Sequence, residues 1–230
     1  MTSPAVAHGM GLFETMLVVN ERAIDADAHF ARMAASAAAL GFPLPDRNAF
    51  TAEVAKAATG EAVRCLYLEA DRWLLHASAI PIPPLTMQRR TDARAVTLNI
   101  SRSLPEHKLT SYAACAIGLR RAAAQNANEG FFLDANGNVL EGTATNVFAV
   151  RGRTLITAGE GILPGIVRRW VLDRGMDVEL RAPSIAEIHA GAFLTGCLTG
   201  LAPLRMLDGV RCDDPGEVFQ KLRLQSRHFA

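Results

Sequence analysis

Lys108 follows His107 where an irregular stretch, residues 101–108, meets an alanine-rich segment. A lysine amine that loses its charge near neutral pH, through burial or a neighbouring cation, becomes a nucleophile able to form an imine with a carbonyl. The ordinary lysine stays charged in water. Glu141 stands in Leu140-Glu141-Gly142-Thr143-Ala144-Thr145-Asn146. A carboxylate among small polar residues is either a solvated turn group or part of the lining around a polar ligand. Pro164-Gly165-Ile166-Val167 opens a predicted helix. Proline is ordinary punctuation there, and the same end offers free N–H groups to an anion such as phosphate. The helix dipole adds only about 0.3–1 kcal/mol, so the N–H bonds would carry most of such a contact. Arg32 shares the first predicted helix with His29 and on its own reads as a surface arginine.

Other chemistries lose weight. The four cysteines, Cys65, Cys115, Cys197 and Cys212, form no CxxC pair, and the six histidines are scattered, so no metal site is expected. The chain has no HExxH, no GxSxG elbow and no GxxxxGK[ST] loop, and Gly9-Met10-Gly11 does not continue into GxGxxG. With a net charge of +1 there is no basic field to hold nucleic acid. No apolar run is long enough to span a membrane, and the N-terminus lacks the pattern of a secretory leader. The expectation is a soluble, cytoplasmic protein with reduced cysteines. At 230 residues, half of them hydrophobic, the chain can bury a core without a staple.

The elements that must position these residues are mixed. Strands are predicted at 12–19, 62–69, 72–80 and 95–100. One helix follows Asp27 and stops at Gly41, and another runs from Asp46 to about Ala58. Residues 101–108, with Pro105, read as a linker, and an alanine-rich helix is expected over 109–127. Asn136-Gly137 between apolar runs signals a hairpin joining 130–134 to 138–140. Strands at 145–150 and 154–157, a helix over 165–174, a capping box at Ser184 and Glu187, strands at 192–195 and 202–207, and a helix from Pro215 complete the reading. Hairpins interleaved with helices indicate an α+β fold, divided into a smaller domain, 1–104, and a larger one, 105–230.

The order of these pieces resembles a known family. Gly11-Leu12-Phe13-Glu14-Thr15-Met16 and His29-Phe30-Ala31-Arg32-Met33 are similar to the opening of the class IV (fold type IV) pyridoxal-phosphate enzymes. Lys108-Leu109-Thr110-Ser111-Tyr112 resembles their Schiff-base lysine segment. Phe132-Leu133-Asp134, Gly137-Asn138-Val139-Leu140-Glu141-Gly142 and Asn146-Val147-Phe148 resemble the signature that follows it. So do Gly161-Ile162-Leu163-Pro164-Gly165-Ile166-Val167-Arg168 and the late run from Ala192 to Gly200. The family includes branched-chain and D-amino-acid aminotransferases and 4-amino-4-deoxychorismate lyase.

The resemblance implies two α/β-type domains with pyridoxal 5′-phosphate at the domain interface, a small-molecule substrate and a homodimer. It implies that Lys108 holds the cofactor as an imine and moves protons, and that Glu141 pairs with the pyridine nitrogen and keeps the ring an electron sink. Arg32 would grip the phosphate with the N–H groups of Ile166 and Val167. Cys197 and Leu198 would complete the phosphate cup, and Tyr112 would reach the ring's phenolic oxygen. The chain departs from the pattern at Val167, where the family has threonine, and at Gly196-Cys197, where it has Asn-Ser. The late leucine, Leu198, and the GLFET opening favour the lyase, which releases 4-aminobenzoate and pyruvate toward folate. The alternative is an aminotransferase for branched-chain or D-amino acids. The intact Lys108 and Glu141 weigh against a non-catalytic member.

Overall fold

The computed structural model describes residues 4–226. The chain divides into two compact units: residues 1–82 with 107–112, and residues 83–106 with 113–230. The expected boundary between 104 and 105 is therefore displaced in two ways. The second unit starts at Pro83, and the segment carrying Lys108 belongs to the first unit.

The first unit contains α1 (Pro4–His8), β1 (Gly11–Val19), β2 (Arg22–Ala23), α2 (Ala26–Ala39), α3 (Arg47–Ala57), β3 (Ala62–Glu69) and β4 (Trp73–Ile80). The strands form one antiparallel sheet in the order β2-β1-β3-β4. The pairing places Leu12, Tyr67 and Leu75 side by side, then Glu14, Cys65 and Ala77, then Met16, Val63 and Ala79. Period-2 alternation puts these on one face, and most of them join Met33, Ala37, Phe50 and Val54 of α2 and α3 in a single core. The opposite face carries Phe13, Leu66 and His76, and then Thr15, Arg64 and Ser78. Asp46 caps α3 by accepting from the Ala49 N–H at 2.7 Å. The cap of α2 is Asp25 rather than Asp27, which lies in the first turn.

The helix expected from Leu109 starts at Ala113 instead. Residues 107–112 run beside β1: Leu109 bridges Leu12, the Phe13 N–H donates to the Lys108 carbonyl at 2.9 Å, and the Thr110 N–H donates to Gly11. Leu109 also packs on the first unit's core. Pairing with a strand takes these backbone groups out of helical hydrogen bonding, so propensity yields to tertiary contact.

The second unit contains α4 (Pro84–Thr91), β5 (Ala93–Thr97), α5 (Ala113–Ala123), β6 (Glu129–Leu133), β7 (Val139–Gly142), β8 (Asn146–Arg151) and β9 (Thr154–Thr157). It continues with α6 (Ile166–Leu172), β10 (Asp177–Leu180), α7 (Ile185–His189), β11 (Ala192–Gly196), β12 (Gly200–Leu207), β13 (Val210–Arg211) and α8 (Gly216–Gln225). Its mixed sheet runs β10-β9-β8-β11-β12-β5-β6-β7, with β13 on β12. A further pairing of Glu141 in β7 with Asn146 in β8 closes the sheet on itself. One core, with Phe131, Val147, Leu194 and Leu204, lies on one side of the strands. Another, with Phe148, Val167, Val171, Phe193 and Phe219, packs α6 and α8 onto the other. No helix among the described residues is long and apolar enough to cross a membrane.

Candidate active site

Lys108 sits on the first unit, half-buried, with its Nζ 4.5 Å from the centre of the Phe13 ring and 5.5 Å from that of Tyr112. The two rings meet edge to face at 5.1 Å. An ammonium over aromatic faces is attracted by the ring quadrupole, which helps to keep the amine in place. The exposed Arg64 guanidinium lies 5.2 Å from the Phe13 ring centre. Desolvation lowers the Arg64 pKa, and Tyr112 opposes that shift. Beside it on the same face, Thr15 Oγ1 is a buried hydroxyl with no hydrogen-bond partner among the described residues. Sequence reading missed Arg64. Its one signal is a cation at an alternate position inside an apolar strand.

Arg32 is not a surface residue. Its Nε and Nη2 donate to Glu14 at 2.8 and 2.6 Å, and its side chain is 9% exposed. Glu14 is fully buried and also faces His29 Nδ1 at 2.6 Å. Burial works against ionisation of Glu14, yet the Arg32 charge, His29 and their hydrogen bonds outweigh it and hold the carboxyl at about 2. The sequence placed Arg32 and His29 one turn apart on a helix, but could not show that both converge on Glu14 of a distant strand.

Glu141, on the second unit, is 3% exposed. Its Oε2 accepts from the Leu163 N–H at 2.9 Å, and its Oε1 lies 2.9 Å from Arg102 Nη2. It also feels Arg168, whose pKa burial lowers and Glu141 supports. The solvated-turn reading of Glu141 is therefore excluded. Leu163 is fixed in turn, because Asn146 Nδ2 donates to its carbonyl at 2.9 Å. Gly165, which caps α6 without any side chain, comes so close to Asn146 that a Cβ would stand 2.0 Å from its Oδ1. Glycine is thus required where the segment 163–167 passes over β8.

The remaining predicted residues frame the same part of the second unit. Ile166 and Val167 form the first turn of α6. The Val167 side chain is 1% exposed and packs in the core with Phe148 and Phe193, which is why an apolar residue is tolerated in place of threonine. Cys197 and Leu198 lie in the turn between β11 and β12. Just before it, Thr195 pairs with Asn146 across the ladder, and its Oγ1 is buried with no hydrogen-bond partner among the described residues. A buried hydroxyl without a partner costs about 1–3 kcal/mol. Within the first unit, the unpartnered Thr15 hydroxyl and the Lys108 amine suit a polar, carbonyl-bearing group; within the second, the unpartnered Thr195 hydroxyl and the buried Glu141 carboxylate suit a polar one.

The Amino-transferase class IV family model matches residues 11–207. The chain belongs to this family. It is 30% identical, over 95% of its length and 89% of the relative's, to a bifunctional aminodeoxychorismate lyase / D-amino acid transaminase of Mycobacterium tuberculosis. Among solved structures it superposes on the pyridoxal-phosphate-bound form of a hypothetical aminotransferase from Mycobacterium tuberculosis with a TM-score of 0.86, at 27% identity, covering 97% of this chain and 90% of that one. It also superposes on a fold IV transaminase from Curtobacterium pusillum with a TM-score of 0.82, at 25% identity, covering 97% and 86%. The class IV chain therefore has the fold type IV architecture and is a pyridoxal-phosphate-dependent enzyme.

Proposed function

We propose that this class IV enzyme is a lyase that converts 4-amino-4-deoxychorismate into 4-aminobenzoate and pyruvate. The observation that carries the choice is the turn after β11. Gly196, Cys197 and Leu198 offer a thiol and an apolar side chain where gripping an α-carboxylate calls for hydroxyls or amides. A rigid ring with carboxylates at its edge has less need of that grip, and Arg64, exposed on the face that carries Phe13, supplies a cation for one carboxylate.

In this reading Arg32, the Ile166 and Val167 N–H groups and the turn at Cys197 and Leu198 would hold the phosphate, Tyr112 would reach the phenolic oxygen, and Lys108 would hold the carbonyl carbon. When bound, the cofactor supplies an electron sink for the substrate carbon. Glu141 would keep a proton on its ring nitrogen. Once the substrate's own amine has replaced it at the carbonyl carbon, the freed Lys108 Nζ would take the proton from the substrate ring. The electron pair left behind expels the enolpyruvyl ether oxygen as the ring becomes aromatic, and the released enol takes up a proton to become pyruvate. Phe13 and Tyr112 flank the amine and keep it aimed.

A second reading, an aminotransferase for D-amino or branched-chain acids, is favoured by the M. tuberculosis relative, whose name joins lyase and transaminase. Lys108 would begin both reactions with the same proton transfer, so products must separate them. Purified holoenzyme given aminodeoxychorismate should release 4-aminobenzoate and pyruvate in equal amounts. Sustained keto-acid release from an ordinary amino acid, with no 4-aminobenzoate formed, would replace the lyase by the transaminase. We also propose a homodimer, the commonest soluble oligomer; a monomeric mass by light scattering at micromolar protein would exclude it.

A further inference from the structure

Within the second unit, α4 contributes two consecutive arginines to the turns that frame the candidate site. Arg89 is 1% exposed and Glu129, at the start of β6, is fully buried; Arg89 Nε stands 3.4 Å from Glu129 Oε2. Glu129 Oε1 accepts from the Gly130 N–H at 3.0 Å, the Thr143 N–H at 2.9 Å and the Thr143 hydroxyl. Its Oε2 accepts from the Thr145 hydroxyl at 2.8 Å. The turn 142–145, which directly follows Glu141, is thus wrapped around one carboxylate.

The same pair reaches the other turn. Arg89 Nη1 donates to Thr199 Oγ1 at 3.4 Å, while its Nε and Nη2 donate to the Asn128 carbonyl beside Glu129. Arg90 Nε donates to the Leu198 carbonyl at 2.9 Å. The two turns also touch, since a Cβ on Gly196 would lie 3.2 Å from the Ala144 carbonyl oxygen. A buried ion pair is a poor way to gain stability, because desolvating both charges cancels much of their attraction. What it does provide is fixed geometry, here between the end of β7 and the loop at Cys197 and Leu198.

We propose that Arg89, Arg90 and Glu129 are positioning residues that set the turn 197–199 against the turn 142–145, and thereby determine how strongly the chain prefers a phosphorylated cofactor. This rests on the reading that Cys197 and Leu198 complete the phosphate cup. None of the three touches the cofactor in this reading; they act through the Leu198 carbonyl, the Thr199 hydroxyl and the backbone of Gly142 to Thr145.

The test compares pyridoxal 5′-phosphate with pyridoxal, which lacks the phosphate, as ligands of the full-length apoprotein. Binding of each is followed by the visible imine band and by tryptophan fluorescence. The wild type should bind the phosphorylated form at least about 100-fold more tightly. Arg90→Met and Thr199→Val, which leave the buried pair intact, should narrow that preference by about 5–10-fold while pyridoxal binds as before. Glu129→Gln and Arg89→Leu should narrow it further, and Arg89→Lys should restore part of it. Equal losses for both ligands, or no change in Arg90→Met and Thr199→Val, would overturn the positioning role and leave the cofactor reading standing. A wild type that binds pyridoxal as tightly as its phosphate would overturn the phosphate-cup reading and this inference with it.

Discussion

Glu14 and Glu129 are both fully buried strand carboxylates with an arginine beside them, and they are satisfied in opposite ways. Glu14, on the first unit, faces charged or chargeable donors from one helix, Arg32 and His29 of α2. Glu129, on the second unit, gathers N–H and hydroxyl donors from the turn 142–145 and its own neighbour, with Arg89 further off at 3.4 Å. The first arrangement is a charge cluster that clamps a helix to a sheet, and it exists only while Glu14 is ionised. The second is a cradle of mostly neutral donors that shapes a turn. The side chains proposed to hold cofactor are therefore aimed by charge on one unit and by hydrogen bonds on the other.

In the proposed function each unit brings one indispensable group, Lys108 on the first and Glu141 on the second, and the largest effects fall on these two. Lys108→Ala should lower turnover by at least about 10³-fold, as expected for losing both the nucleophile and the proton carrier. Borohydride should trap the cofactor on Lys108 in the wild type, and an adduct mapped by mass to Lys56 or Lys221 would sink the assignment. Glu141→Gln should retain the cofactor but lose about 10²-fold in kcat, measured in steady state. Near-normal turnover would reduce Glu141 to a structural partner of Leu163 and Arg102.

Next comes the charge cluster itself. Glu14→Gln leaves the Arg32 guanidinium buried without its counter-ion and should cost about 3–5 kcal/mol in urea unfolding. Acid should reproduce this in the wild type. The Glu14 carboxyl is held near 2 in the folded chain against an ordinary value of 4.5. Its stabilisation is thus complete above about pH 4.5 and is lost as pH falls toward 2, by an amount on the order of 3 kcal/mol. A Glu14→Gln chain should lack that part of the acid dependence. If both chains lose stability in parallel from pH 5 to 3, Glu14 is not the group responsible.

The smallest effect tests the cradle. Thr145→Val removes one of several neutral donors to Glu129 and should cost about 1–2 kcal/mol in urea unfolding. A loss as large as that of Glu14→Gln would erase the distinction between the two carboxylates.

Much of the local structure was legible before any coordinates. Asn136-Gly137 is the turn of the hairpin, with Gly137 at φ 81° and the Asp134 carboxylate accepting from the Asn136 and Asn138 N–H groups. Ser184 and Glu187 form the capping box, and the strand over 154–157 falls where it was expected. These signals are complete within a few residues of sequence. α4 was missed because Pro81, Pro83 and Pro84 read as the end of a strand, whereas Pro84 also suits the first position of a helix. Its arginines look like solvated charges until β6 and the turn 197–199 are brought to them. The early start given to α5 failed for the same reason, since the partner of residues 107–112 lies about a hundred residues upstream. Of the candidate site, Lys108 and Glu141 stood out by type and order. Glu14, Arg64, Thr15 and Thr195 did not, because their significance lies in what faces them.

The return of residues 107–112 to the first unit gives the chain a schedule. A ribosome delivers about 5–20 residues each second. The sheet of β1 to β4 is fully synthesised by Ile80, yet Leu109, which packs on its core, and Lys108, the amine proposed to work on this unit, come only after α4 and β5 of the other unit. During that interval the first unit lacks a segment that pairs with β1. A fragment ending at Ile82 contains the residues of all four strands but neither Leu109 nor Lys108, so the lysine arrives only on a chain that has already begun its second unit.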